Sequence, residues 1–387
     1  MASERPSSPT SDDSPERSLR VALVHHWLTR RRGGEKCLDS LARLYPGADL
    51  FTLIHDPKKC PAPAEVRRVI TSNLQNRLGA KRWFRAWMPR FPHYYRSLDL
   101  AGYDLVVTSD ASVAKTVMVP EGIPHVCYCY SPVRYAFDMR EVYLRESVPA
   151  LLRPLARHLL NRLGEADREA AQRVTSFIAI SQHVAQRISR CYDRPSEVIY
   201  PPVDVDFFQP AVKKPEPSQL HSRPYLLLGE AVAYKRFDLG VRACRTLDRD
   251  LIVAGSGPHH ARLRRLAGPR TRFVTDPGNE EVRELYRSCR ALIFPGEEDF
   301  GMVPVEAMAC GRPVIARNAG GATETVVDGS TGILYDEDSE EGLMNAIRRF
   351  EASEDTFQSR DAVAKANLFS VGVHERAMKH ALATFAG

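Results

Sequence analysis

The sequence predicts an α/β protein built from two Rossmann-like, doubly wound parallel-sheet domains that face a central cleft. Three observations predict it: short β-rich runs alternate with helical patterns from Leu19 onward, a Pro-bearing polar segment at 201–224 interrupts them, and the same alternation then resumes. A chain of 387 residues, 43% hydrophobic and 26% charged, suits two domains with substantial cores and excludes a wholly disordered or fibrous protein.

Residues 1–18, MASERPSSPTSDDSPERS, hold too little apolar surface to offset the entropy of ordering and read as a disordered tail. Residues 19–205 form the first domain. RVALVHH precedes EKCLDSLARLY, YDLVVTSD and HVCYCYS follow, and SFIAIS precedes QHVAQRISRCY. Strand then helix, repeated, requires a parallel sheet covered on both faces. Residues 206–367 form the second domain, with YLLLGE, DLIVAGSGP, TRFVTD, ALIFPGEED, RPVIARNAGG and TGILYD as its strand-to-loop runs. Residues 368–387 have apolar positions at helical spacing and read as a closing helix placed back across the first domain. Ligands of such folds lie at the carboxyl ends of the strands, so the chemistry is sought there.

The charge balance of 54 basic to 48 acidic residues, +6 net, suits anionic ligands, and no nucleic-acid motif accompanies it. Eight scattered cysteines lack zinc-ligand spacing and read as reduced thiols, with Cys127 and Cys129 filling the core on one face of a strand. No apolar run is long enough to cross a bilayer and the first residues do not resemble a signal peptide, so the expected location is cytoplasmic.

The densest chemical signal runs from Pro295 to Gly311. Glu298 falls in a strand-to-helix loop, Pro304 suits a first helical turn, and Glu306 lies just inside the helix. Two carboxylates at different heights of one cleft can accept sugar hydroxyls, although acids near a helix start also simply favour its dipole. Lys235 and Arg236 stand just beyond the first strand of the second domain, where basic groups meet an anion. Gly33 and Gly34 sit between a strand and a helix, and Gly255 and Gly257 form a similar loop that either lines a pocket or shapes a turn.

The GG turn at 33–34, AISQHVAQRI, VIYPPVDVDFF, YKRFDLGV, AGSGP, EDFGMVPVEAMACG, GRPVIA, GGATETVVDG and TGILY occur in one order over about residues 19–340. In that order they resemble the retaining glycosyltransferases of the family 4 type, with the GT-B fold. The resemblance implies transfer of a hexose from a nucleotide sugar to a hydroxyl of a glycan or lipid-linked acceptor, with anomeric retention and no enzyme nucleophile. VHHWL with GGEK, and YCYSPVRY, resemble mannosyltransferase-like members, making GDP-mannose the leading donor and UDP-hexoses the alternative. By resemblance, Lys235 binds the diphosphate with Arg236 beside it, Glu306 holds the ribose hydroxyls and Glu298 contacts the donor sugar. Backbone groups of Phe300, Gly301, Met302 and Val303 approach sugar and phosphate, and Gly33 and Gly34 form the first-domain loop. The resemblance also implies no cofactor beyond the donor and no essential metal, so Asp204-Val-Asp206 and Asp336-Glu-Asp338 read as surface acids.

Two departures stand out. Tyr130, a catalytic candidate with Glu298 and Lys235, occupies a place where relatives usually carry His; a phenol can hydrogen-bond a sugar hydroxyl but is a poor proton acceptor near neutral pH. Glu230 stands where many relatives carry Arg, so that contact with the diphosphate is absent or supplied elsewhere. These departures keep two alternatives open, a catalytically degenerate sugar-nucleotide-binding protein and a nucleotide-sugar epimerase. A nicotinamide dehydrogenase is disfavoured because no G-x-G-x-x-G follows the first strand. Arg134 either faces the cleft or forms a structural ion pair; His25 and His26 point oppositely if the strand continues through them, and either reaches the cleft or, the safer reading, is a satisfied structural histidine. From 66 to 98 there is no acidic residue, while Arg67, Arg68, Arg77, Lys81, Arg82, Arg85, Arg90 and Arg96 mix with Trp83, Phe84, Trp87 and Phe91. This stretch is either a peripheral contact with an anionic membrane face or a solvated basic surface over buried aromatics.

Overall fold

A computed structural model describes residues 19–80, 84–212 and 221–385, and the tail expected at 1–18 lies outside them. Strand β1 (Val21–His25) shows why these runs are apolar throughout. Val21 and Leu23 enter one core while Ala22 and Val24 enter the opposite one, so neither face meets water. It joins β2 (Asp49–Thr52), β3 (Arg68–Thr71), β4 (Leu105–Asp110), β5 (His125–Cys129), β6 (Ser176–Ala179) and β7 (Glu197–Val198) in the order β3-β2-β1-β4-β5-β6-β7. The second sheet takes β8 (Tyr225–Leu228), β9 (Leu251–Ala254), β10 (Thr271–Val274), β11 (Leu292–Phe294), β12 (Val314–Arg317) and β13 (Gly332–Tyr335) in the order β10-β9-β8-β11-β12-β13. Their ladders are parallel, so each crossover carries helix over a face. Strand order reverses between β1 and β4 in one sheet and between β8 and β11 in the other, which places the ligand crevices.

The helices that matter for the site are α1 (Gly33–Leu44), α2 (Arg153–Arg173), α3 (Gln182–Tyr192), α4 (Phe237–Thr246), α5 (Met302–Ala309) and α6 (Val371–Ala383). Helix α1 opens at the double glycine, where Glu35 reaches back to the backbone N–H of Arg32 at 2.7 Å. Ser181 caps α3 and Ser370 caps α6 in the usual manner of a hydroxyl before the first turn.

The chain passes between domains at Pro201–Val203 and returns at Phe369, whose carbonyl accepts from the N–H of Val203 at 2.8 Å. Tyr200, Phe300 and Phe369 pack mutually, edge-on or tilted, with centroids 5.1–5.7 Å apart, so aromatic packing braces this crossing. Beyond it α6 lies against α1. Glu375 accepts from Arg43 at 2.7 Å, and the carbonyl of Tyr200 lies 2.8 Å from His374 Nδ1. All eight cysteines are buried free thiols. No helix among the described residues is long and apolar enough to cross a membrane.

Candidate active site in the interdomain cleft

The second-domain wall is made of backbone brought close to backbone. A side chain on Gly255 would place its Cβ 2.1 Å from the carbonyl oxygen of Gly229, at a φ of +120°. Gly296 meets the Cα of Lys235 at 2.5 Å, and Gly321 meets the Cα of Phe300 at 2.3 Å in the same sense. This packing seats Lys235 Nζ 3.0 Å from Glu298 Oε1. Burial pulls the Lys235 ammonium down, yet Glu298 outweighs it and holds the pKa above the ordinary lysine value. Helix α5 begins at Gly301, φ +81°, with no side chain capping it, so its first N–H groups remain for an anion. Phe300 turns its ring into the hinge aromatics and offers only its backbone to the cleft.

The first-domain wall is a buried polar network beneath the double glycine. Tyr130 donates to the carbonyl of Gly34 at 3.1 Å and lies 2.5 Å from Ser109 Oγ, which in turn lies 2.8 Å from His25 Nδ1. The Tyr130 hydroxyl is therefore engaged by the loop and the sheet, as a brace for the turn. His25 and His26 do not point oppositely, because β1 ends at His25; their rings lie 3.9 Å apart. Burial, with His25 adjacent, lowers His26 to about 3, so it is neutral at physiological pH. Glu35 sits 3.5 Å from His25 Nε2; burial pushes its carboxyl up, but His25 and its other partners bring it to about 2. His25, His26 and Glu35 form a triad with metal-ligand spacing, and hydrogen bonds within the protein already occupy His25 on both nitrogens.

Contacts across the cleft hold the walls together. Lys36 Nζ lies 2.7 Å from Glu306 Oε1, while Tyr286 donates to the other oxygen at 2.9 Å. Arg32 donates to Glu230 at 2.9 Å, and a Cβ on Gly33 would meet the sulfur of Met302 at 2.8 Å. Asp299 accepts from Arg134 and Arg187 at 2.8 and 2.7 Å, and although burial pushes its carboxyl up these two guanidinium groups keep it below its usual value. Glu324 receives the N–H groups of Gln182 and His183, the open start of α3, at 2.8 and 2.9 Å. Between the loops lies a cavity of about 220 Å³ lined in part by Arg30, Arg32, Glu230, Gly255, Ser256 and Asp276.

The structure thus gathers Gly33, Gly34, Lys235, Gly255, Glu298, Gly301, Met302, Val303 and Glu306 about one cleft. Gly257 packs on Ala231 behind it, and Arg236 pairs with Asp338 at 2.6 Å on the second domain. Arg134 is both a cleft residue and an ion-pair partner, which resolves its two readings together. Asp204 caps its own turn through the N–H of Phe207, and Asp336 holds Asn318, so neither acidic triplet converges. In the 66–98 stretch, Phe91 and Tyr95 are buried and Arg67 and Arg68 serve the buried Asp49, while residues 81–83 lie outside the described ones. Sequence reasoning missed Lys36, Arg32, Arg187, Asp299 and Glu324. Lys36 in the GGEK run, Arg187 in AISQHVAQRI, Asp299 in EDFG and Glu324 in GGATETVVDG all stood inside the motifs, whereas the role of Arg32 carried no such signal.

Two Rossmann-like sheets with their strand-end loops facing one cleft define a GT-B protein. The sequence model described as Glycosyl transferases group 1 matches residues 209–367, and that of Glycosyltransferase Family 4 matches residues 31–207. The chain belongs to the family 4 type of glycosyltransferases. It is 32% identical to the D-inositol 3-phosphate glycosyltransferase of Corynebacterium diphtheriae over 36% of this chain and 38% of that relative, so the match spans well under half of either protein. Its fold is similar to that of Anabaena HepE solved with UDP-glucose, TM-score 0.67 at 20% identity, covering 94% of this chain and 99% of that one. Sucrose-phosphate synthase of Thermosynechococcus elongatus has a similar fold, TM-score 0.70 at 20% identity, covering 95% and 98%.

Proposed function

We propose that the protein transfers a hexosyl group from a nucleotide sugar to an acceptor hydroxyl with retention at the anomeric carbon. The observation that carries this reading is the part-buried Lys235–Glu298 pair beside the uncapped start of α5, opposite the double-glycine turn. As the glycosyl–phosphate bond breaks, negative charge grows on the departing diphosphate, and Lys235 with the α5 N–H groups stabilises it without reorganising. Glu298 contacts the sugar, Glu306 takes the ribose hydroxyls once Lys36 is displaced, and the acceptor hydroxyl passes its proton to the leaving phosphate. Tyr130 contributes by holding Gly34 in place. No divalent ion is required in this scheme, so EDTA leaves the rate unchanged.

Mannose from GDP-mannose is the donor we favour, with UDP-glucose as the competitor to test beside it. Thermal unfolding with GDP-mannose, GDP, UDP-glucose, UDP-N-acetylglucosamine and UDP distinguishes them, since a ligand at about 100 times its dissociation constant adds roughly 2.7 kcal/mol. A selective rise that Glu306→Ala abolishes supports the reading, and no rise with any donor overturns it. A second reading, donor binding without transfer, is favoured by the internal engagement of the Tyr130 hydroxyl. Binding with no turnover on any acceptor would select it, whereas donor consumption without an acceptor would select the epimerase.

We also infer that the acceptor is lipid-linked and that the first domain meets an anionic bilayer. Leu151, Leu152 and Leu155 are exposed at the start of α2, in a stretch from 147 to 164 with no acidic residue. Helix α2 also packs against the turn Phe84–Arg90 of the acid-free 66–98 stretch. Flotation with phosphatidylglycerol vesicles, lost in a Leu152→Glu, Leu155→Glu variant, is the expected result; absence of flotation by the unaltered protein sinks the idea.

A further inference from the structure

The charged residues around the cavity are sorted by domain. Arg30 and Arg32 come from the loop before α1, whereas Glu230 and Asp276 come from loops of the second sheet. Asp276 is engaged by Ser256 at 2.5 Å, and Lys235 by Glu298. Of the two arginines, Arg32 meets the opposite wall: its Nη2 lies 2.9 Å from Glu230 Oε1, with 45% of the arginine side chain and 30% of the glutamate exposed. An ion pair so open to water stabilises a fold little. Its position matters more: Glu230 is near enough to Lys235 to help raise the lysine's pKa, so it stands beside the group that faces the leaving diphosphate.

A carboxylate at that place repels a diphosphate, and a diphosphate offers a guanidinium better acceptors than a single carboxylate does. Resting on the reading of the cleft as a nucleotide-sugar site, we propose that Arg32 exchanges partners. It is held by Glu230 in the empty protein and moves to the diphosphate when donor binds, so the second domain's carboxylate is a resident competitor of the ligand. The cation that position 230 lacks is supplied from the opposite wall, and full neutralisation of the diphosphate therefore requires both domains. No bond is made or broken in the exchange.

The two halves of the pair then have opposite effects on binding. Calorimetric titration of GDP and of UDP into the full chain reads this directly. Arg32→Gln is expected to weaken the preferred nucleotide about ten- to hundredfold, the range for a lost hydrogen bond to a charged group. Glu230→Gln is expected to tighten it roughly threefold or more, by removing a like charge beside the phosphates. In an Arg32→Glu background, Glu230→Arg is expected to restore part of the lost affinity, since the cation returns on the other wall. Unfolding midpoints of all variants are measured alongside, and Arg32→Lys replaces any that does not fold. If both single substitutions weaken binding, or neither changes it, the exchange is overturned while the nucleotide site stands. If neither GDP nor UDP binds the unaltered protein, the functional reading fails and the exchange with it.

Discussion

The two walls of the cleft share a strand order and differ in what fills the space behind their loops. On the first domain the double glycine rests on side chains, Tyr130 and His26 beneath Gly34 with Ser109, His25 and Glu35 completing the network. On the second domain loop rests on loop, Gly255 against Gly229, Gly296 against Lys235, Gly320 against Glu298. The first arrangement braces one turn with hydrogen bonds. The second removes side-chain bulk so that backbone N–H groups and one part-buried ion pair can face a ligand. A wall that binds through its backbone tolerates no added Cβ, whereas a wall that binds through a braced turn depends on the protonation of its brace.

The largest expected effect tests the second wall. Lys235→Gln should lower the rate of transfer about 10²- to 10³-fold, the usual loss for one electrostatic stabiliser of a developing charge. A loss under tenfold would move the burden of the diphosphate to the first wall and break the contrast. Next, Gly255→Ala should cost about 3 kcal/mol or more, since its Cβ would lie 2.1 Å from a carbonyl oxygen at positive φ. Gly122→Ala, at φ +83° with nothing within 4 Å, should cost only about 1–2 kcal/mol of backbone strain. Chemical denaturation of both variants checks the difference.

Acid should loosen the first wall before the second. Glu35 titrates at about 2 when folded against 4.5 ordinarily, so its stabilisation, on the order of 3 kcal/mol, is present above pH 4.5 and is lost as pH falls to about 2. His26, lowered from 6.5 to about 3, adds a loss over that interval because the unfolded chain takes up the proton first. Lys235 has the opposite sign: its raised pKa gives stability below the ordinary lysine value that is lost only as pH rises through the higher one. Denaturant midpoints between pH 3 and 8 should therefore fall on the acid side, less steeply below pH 4.5 in Glu35→Gln. The smallest effect belongs to Tyr130→Phe. Freeing the Gly34 carbonyl should cost about 1–2 kcal/mol of stability and raise KM several-fold with little change in kcat. A fall in kcat of two orders of magnitude would instead show that the phenol meets the substrate.

The alternation of β-rich runs and helices, the positions of Lys235 and Glu298 in loops after strands, and that of Glu306 inside the following helix were legible because each depends on neighbours within a few residues. The polarity of the His25–His26 pair was not, since alternation holds only while a strand continues and β1 stops at His25. The basic and aromatic stretch likewise looked uniform in sequence, yet Phe91 and Tyr95 enter a core while Arg67 and Arg68 serve Asp49.

Partners far apart in the chain were beyond any local pattern. Lys36 meets Glu306 across 270 positions and Arg32 meets Glu230 across 198. Composition and periodicity determined two doubly wound domains and the loops that carry the chemistry, because hydrophobic period and turn residues act locally. Which charge faces which across the cleft was decided only by how the domains dock, through the hinge aromatics and the return of α6 onto α1, and the sequence does not spell out that angle.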